Sequence, residues 1–234
     1  MDIRKIDYYD EETVLEATVV SGGGTHKRPI VFIFPAWEGK GAFAEKKAVE
    51  MAKLGYIGCA LDVYGKNIFG KTKEECESLM TPLFSDRLKL RKRILAYKSL
   101  FSSIPEADSH KTAAMGFCFG GLCALDLARS GAPVGGVISV HGLLVPPKFH
   151  LHPIHSRVLV LHGYKDPLVS KESLMEFSSE MEKKHVDFQL HVFGKAMHAF
   201  TNPEANDPSF GTVYQPEADR RSTKLIQMFL SELF

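Results

Sequence analysis

The sequence predicts an α/β fold with a mostly parallel central sheet and helices on both faces. Apolar, strand-like runs alternate along the chain with longer amphipathic stretches, the pattern of a sheet whose crossovers are helical. One strand-to-helix junction carries glycines on either side of a cysteine, Gly116-Phe117-Cys118-Phe119-Gly120-Gly121, as a tight turn out of a buried strand requires. At 234 residues the chain can build one sizeable core, so a single domain over 1–234 is expected.

The elements follow in order. Residues 14–20 begin the sheet as an edge hairpin with the residues before them, and 29–34 form the next strand. A helix over 42–54 leads to a strand at 57–61. The long charged segment 73–101 reads as helical, interrupted near Pro82, because proline lacks the donor that a helix interior needs. The run 112–115 is a buried strand leading into the cysteine turn, and 122–130 is an Ala/Leu helix closed by Gly131. Strands at 134–140 and 158–162 flank an irregular stretch, 142–156, which holds Pro146, Pro147 and Pro153 and reads as a loop. A helix over 170–184, a strand at 188–193 and a helix over 217–233 complete the chain.

Composition excludes several function classes. With 44% hydrophobic residues, 24% charged residues and a formal net charge of +1, nothing points to nucleic acid, an acidic polymer or a membrane surface as a partner. The opening Met1-Asp2-Ile3-Arg4-Lys5 leads into a polar segment, and no run is long enough to span a bilayer, so a cytoplasmic protein is expected. The four cysteines, Cys59, Cys76, Cys118 and Cys123, form no CxxC pair and no disulfide framework. Cys59 lies in a strand and Cys123 on the helix after the turn, where both are core residues, and Cys76 falls in a charged helical stretch.

The G-x-C-x-G junction is a nucleophile elbow with sulfur in place of oxygen. The helix that follows aims its N-terminal N–H groups at the cysteine and favours a thiolate or a developing oxyanion. In a sheet of this kind the residues just after strands face the ligand. Asp166 follows the strand at 158–162, and His198 follows the strand at 188–193. The order Cys118, Asp166, His198 is the nucleophile, acid, histidine order of α/β hydrolases. The simpler use of Asp166, ahead of Pro167, is to start a turn. His150, His152 and His155 make an H-x-H-x-x-H cluster, but a proline-containing loop without acidic or cysteine company is expected to hold it in solvent, with no metal. Trp37, Tyr64, His141, Phe200 and Tyr214 fall after expected strands or near the triad and are candidates to wall a pocket; each is equally suited to core packing.

The elbow GFCFGG, the segments LVLHGYKDPLV and AMHAFTNP, and the ending EADRRS together resemble the dienelactone hydrolase family, with similarity from about residue 29 to the C-terminus. The resemblance implies an α/β-hydrolase fold and a catalytic triad of Cys118, Asp166 and His198. It implies attack on an ester or lactone carbonyl, a thioester acyl-enzyme and no cofactor. It also implies oxyanion donors at the backbone N–H groups of Phe119 and Trp37. Two positions depart from the family. Where it carries a glutamate near the thiol this chain has Ala36, with Glu38 nearby as a stand-in or as a solvated loop carboxylate. Where it carries a substrate-carboxylate arginine this chain has Asn202. Arg87, Arg220 and Arg221 remain as cations, all expected on helices or at helix starts. A monomer or weak homodimer acting on a small ester or lactone is expected; the alternative is a non-catalytic small-molecule binder or thiol sensor that kept a reactive Cys118.

Overall fold

The computed structural model of the chain describes residues 1–149 and 152–234. The chain divides into two compact units, Met1–Met115 and Gly116–Phe234.

The first unit contains β1 (Asp2–Asp10), β2 (Thr13–Ser21), β3 (Arg28–Phe34), α1 (Ala42–Lys53), β4 (Ile57–Ala60), α2 (Lys73–Ser85), α3 (Arg87–Leu95), a 3-10 segment (Ala96–Ser103) and most of β5 (Ala107–Phe117). Its strands run in the order β1-β2-β4-β3-β5. β1 and β2 form the expected hairpin, β2 lies antiparallel to β4, and β3 and β4 are parallel. Ile30 to Phe34 are all at most 1% exposed, so the β3 run is hydrophobic because both its faces are covered. Gly58 lets α1 lie directly on β4: a Cβ there would stand 2.1 Å from the Ala48 carbonyl oxygen.

The expected interruption at Pro82 is displaced. α2 runs through Pro82 to Ser85, and the break falls at Asp86. A proline one turn from a helix end removes only one hydrogen bond, whereas Asp86 leaves the helical conformation and caps α3 by accepting from Lys89 N at 3.0 Å. Cys76, in a charged helical stretch by sequence, is buried beneath the turn at Gly70.

The second unit opens with the end of β5 and continues through α4 (Phe119–Arg129), β6 (Gly136–Val140), β7 (Arg157–Gly163), α5 (Lys171–Lys183), β8 (Phe188–Phe193), β9 (Asn206–Asp207), β10 (Thr212–Val213) and α6 (Pro216–Leu233). β6, β7 and β8 are parallel neighbours in that order. Every residue of α4 is buried, which explains its Gly/Ala/Leu composition. Arg129 at its end is 2% exposed and donates to both carboxylate oxygens of Glu180 on α5 (3.2 and 2.6 Å) and to Leu144 O (2.9 Å). That guanidinium fastens the proline-containing loop to two helices, because a buried cation needs its donors satisfied. The antiparallel pair β9 and β10 was not expected; two residues per strand are too few for any periodicity to show.

Candidate active site

The turn at Cys118 has the geometry that its glycines require. Cys118 adopts φ 53° and ψ −117°, a strained setting for a residue with a side chain. Gly116 is where strand and helix touch, since a Cβ there would stand 1.9 Å from Gly120 O. Cys118 O accepts from Gly121 N (3.0 Å) as α4 begins. Phe119 opens that helix, and its N–H lies in the first turn, where the partial positive charge is concentrated. Of the four cysteines only Cys118 is partly exposed; Cys59, Cys76 and Cys123 are buried, and burial pushes the Cys59 thiol well up, with Lys40 opposing.

Asp166 and His198 come together in the same unit. β7 ends at Gly163, whose missing side chain admits the His198 loop: a Cβ there would stand 2.5 Å from Met197 O. Tyr164 N donates to Phe193 O (3.0 Å) and Lys165 N to Ala196 O (2.9 Å), joining the two loops. Asp166 then divides its carboxylate. Oδ1 accepts from Leu168 N at 2.8 Å, the local turn, and Oδ2 accepts from His198 Nδ1 at 2.7 Å. Both side chains are buried, at 0% and 2% exposure. The turn and the histidine contact are therefore compatible, one oxygen each.

His198 is held from its far side by β10. His198 N donates to Gly211 O (2.9 Å) and Val213 N to His198 O (3.0 Å). Gly211 in turn carries Pro167 against it, which ties the aspartate loop to the same clasp. Ala199, directly after the histidine, has φ 56°. Left-handed backbone thus occurs at Cys118, His141 and Ala199, all in the loops that gather this site.

Burial by itself disfavours a charged His198. Charge on the Cys118 sulfur, the hydrogen bond with Asp166, the nearness of the thiol and the Asp166 charge together outweigh it and push the ring up to about 10. Nε2 is buried without a well-aligned partner, so the thiol stands within electrostatic reach but out of line. The arrangement favours a protonated ring at His198. His162, at the end of β7, is buried and pushed down by burial, with Asp166 opposing, so it stays neutral.

The other sequence candidates divide between the units. His141, after β6, is 2% exposed: Cys118 N donates to its Nδ1 at 3.2 Å, and its Nε2 meets Thr201 Oγ1 at 2.9 Å. Phe200 is fully buried and lies edge-on to His141, ring centroids 5.2 Å apart. Asn202 accepts from Glu204 N at 3.1 Å through its side-chain oxygen and closes its own turn. Tyr214 donates to Asp219 at 3.0 Å. In the first unit, Tyr64 donates its hydroxyl to Trp37 O at 2.8 Å. Glu38 is half-buried there, and burial raises its carboxyl, so the picture of a solvated carboxylate is corrected. Arg87 lies over the Phe84 ring, and Arg220 and Arg221 are exposed on α6. His152 and His155 are exposed and His150 lies outside the described residues; among the described residues no three His, Cys, Asp or Glu side chains gather as metal ligands would. Among them, too, no helix is long and apolar enough to cross a membrane.

Thr201 went unnoticed in the sequence. A threonine three residues past a histidine has no periodic or motif signal, and its partner lies 60 residues away.

Comparison with known proteins agrees with this architecture. A protein of Caenorhabditis elegans is 40% identical over 151 residues, 62% of this chain and 95% of the relative. The solved structure of m3DLH superposes with a TM-score of 0.93 at 34% identity, covering 100% of this chain and 98% of the other. A dienelactone hydrolase-like promiscuous phosphotriesterase from metagenomic libraries superposes with a TM-score of 0.92, also at 34% identity and with the same coverage. The model of the dienelactone hydrolase family matches residues 15–234. A match over that span, on an α/β-hydrolase fold, means that the chain belongs to the dienelactone hydrolase family and is a hydrolase acting on ester bonds.

Proposed function

We propose that this protein hydrolyses small esters or lactones through a Cys118-His198-Asp166 triad and a thioester acyl-enzyme. The observation that carries the reading is the buried 2.7 Å contact from His198 to Asp166, with the same ring raised by charge on Cys118. Asp166 accepts a hydrogen bond from Nδ1–H and fixes the tautomer, which leaves Nε2 to exchange a proton with sulfur. The thiolate pair forms the S–C bond to the carbonyl carbon, and the π pair moves onto oxygen near the Phe119 N–H. Collapse breaks the C–O bond, and the leaving alkoxide takes the proton from His198. Water then attacks the thioester with His198 as base, releasing a carboxylic acid and restoring the thiol.

Asn202 bears on the substrate. A fixed guanidinium is the group suited to replace the water that a carboxylate loses on binding, and Asn202 supplies a neutral amide already engaged in its own turn. Neutral esters and lactones are therefore the preferred class, and aryl phosphotriesters, suggested by the metagenomic relative, a slower one. The test is p-nitrophenyl acetate in a rapid-mixing experiment. A burst of nitrophenol stoichiometric with enzyme, lost in Cys118→Ala, is expected; a Cys118→Ala protein that keeps its turnover overturns the mechanism.

A further inference from the structure

We infer that His141 is a positioning residue: through one imidazole ring it ties the backbone of Cys118 to the loop that carries His198, and so sets how the thiol meets its base. The inference rests on the triad proposed above.

The Cys118 N–H is shared between two consecutive acceptors, Val140 O at 3.1 Å and His141 Nδ1 at 3.2 Å. A backbone N–H can only donate, so Nδ1 must present its lone pair and the ring's proton must sit on Nε2. Nε2 then donates to Thr201 Oγ1 at 2.9 Å. Thr201 is three residues past His198 and 2% exposed. The ring is wedged between aromatic neighbours, with centroids 5.2 Å from His198, 5.2 Å from Phe200 and 5.9 Å from Phe117. Its backbone is strained, at φ 39°, in a residue that is itself buried.

Each observation removes another role. A ring that is 2% exposed with both nitrogens engaged has no hydrogen bond to offer a substrate. Packing alone needs no nitrogen at either position. What the nitrogens supply is a rigid strut between two strained loops, Cys118 at φ 53° on one and Ala199 at φ 56° on the other. A shift of about 1 Å between reacting groups costs roughly 100-fold in rate, so such a strut acts on the reaction without touching it.

Three variants test it. His141→Phe keeps the ring packing and loses both nitrogens, His141→Asn can return an acceptor oxygen near the Nδ1 position, and Thr201→Val removes the far anchor with little change of shape. The readouts are kcat and KM for p-nitrophenyl acetate and the second-order rate of Cys118 alkylation by iodoacetamide. In His141→Phe, kcat and alkylation should fall together by roughly 10- to 100-fold with KM little changed. Thr201→Val should fall in the same direction by less, and His141→Asn should recover most of the alkylation rate. A His141→Phe enzyme with unaltered kcat and alkylation overturns the inference, and so does one whose KM rises while kcat holds, the sign of a substrate contact. Equal damage in His141→Asn and His141→Phe reduces the residue to packing and overturns it too. If His141→Phe does not fold, Thr201→Val decides: normal alkylation there refutes the strut. Should Cys118→Ala keep turnover, the triad fails, while the alkylation rates still judge the positioning of the thiol.

Discussion

Replacing Asp166 with asparagine tests the histidine pair at least cost to shape. The amide oxygen can keep the Leu168 N–H bond, made at 2.8 Å in the native protein. The amide nitrogen then faces His198 Nδ1, where the carboxylate had accepted at 2.7 Å. Two donors cannot face each other in a site where both side chains are at most 2% exposed, so the ring must move its proton to Nε2. That is the wrong tautomer, since Nε2 can no longer take a proton from sulfur. In serine triads the same exchange lowers kcat by roughly 10⁴-fold. A thiol ionises more readily than a hydroxyl, so the expected loss here is roughly 10²- to 10⁴-fold, about 3–5 kcal/mol of activation free energy. Rapid-mixing kinetics with p-nitrophenyl acetate should show the acylation phase slowed by that factor. Stability adds a second reading. A ring raised from its ordinary 6.5 to about 10 contributes stability that is complete below 6.5 and is lost as pH rises through about 10. The gap in unfolding temperature between wild type and Asp166→Asn should therefore be widest near pH 6 and narrow toward pH 10. An Asp166→Asn enzyme within about threefold of wild-type kcat, with a gap that does not vary with pH, refutes the reasoning.

Other variants probe the scaffold and the pocket. Arg129→Leu leaves the Glu180 carboxylate and Leu144 O without their buried donor and should cost about 3–5 kcal/mol, read as a fall of roughly 6–20 °C in calorimetric Tm. Gly116→Ala places a methyl 1.9 Å from backbone that cannot yield, so folded protein with native activity is not expected from size-exclusion and esterase assays. Asn202→Arg should raise kcat/KM for a carboxylated lactone relative to its methyl ester, measured as a ratio within each enzyme.

Much of this protein is determined by its sequence. The turn at Cys118 is legible because only glycine permits the approach of Gly116 to Gly120, as it does that of Gly163 to Met197, and such positions are marked in the residues themselves. Buried strands such as 30–34 are legible because burial on both faces demands an unbroken apolar run. The pairing of Asp166 with His198 was foreseeable from chain order, although the carboxylate's second bond, to Leu168, was not. Only the tertiary structure decided what His141 does, because its partners, Cys118 and Thr201, stand 23 and 60 residues away and neither contact leaves a local pattern. It also decided that α2 passes through Pro82, that Cys76 and Glu38 are withdrawn from solvent, and that β10 holds His198. Sequence patterns record what a residue's immediate backbone requires. Burial, protonation and reach depend on groups brought together from distant parts of the chain, and these the folded structure alone assigns.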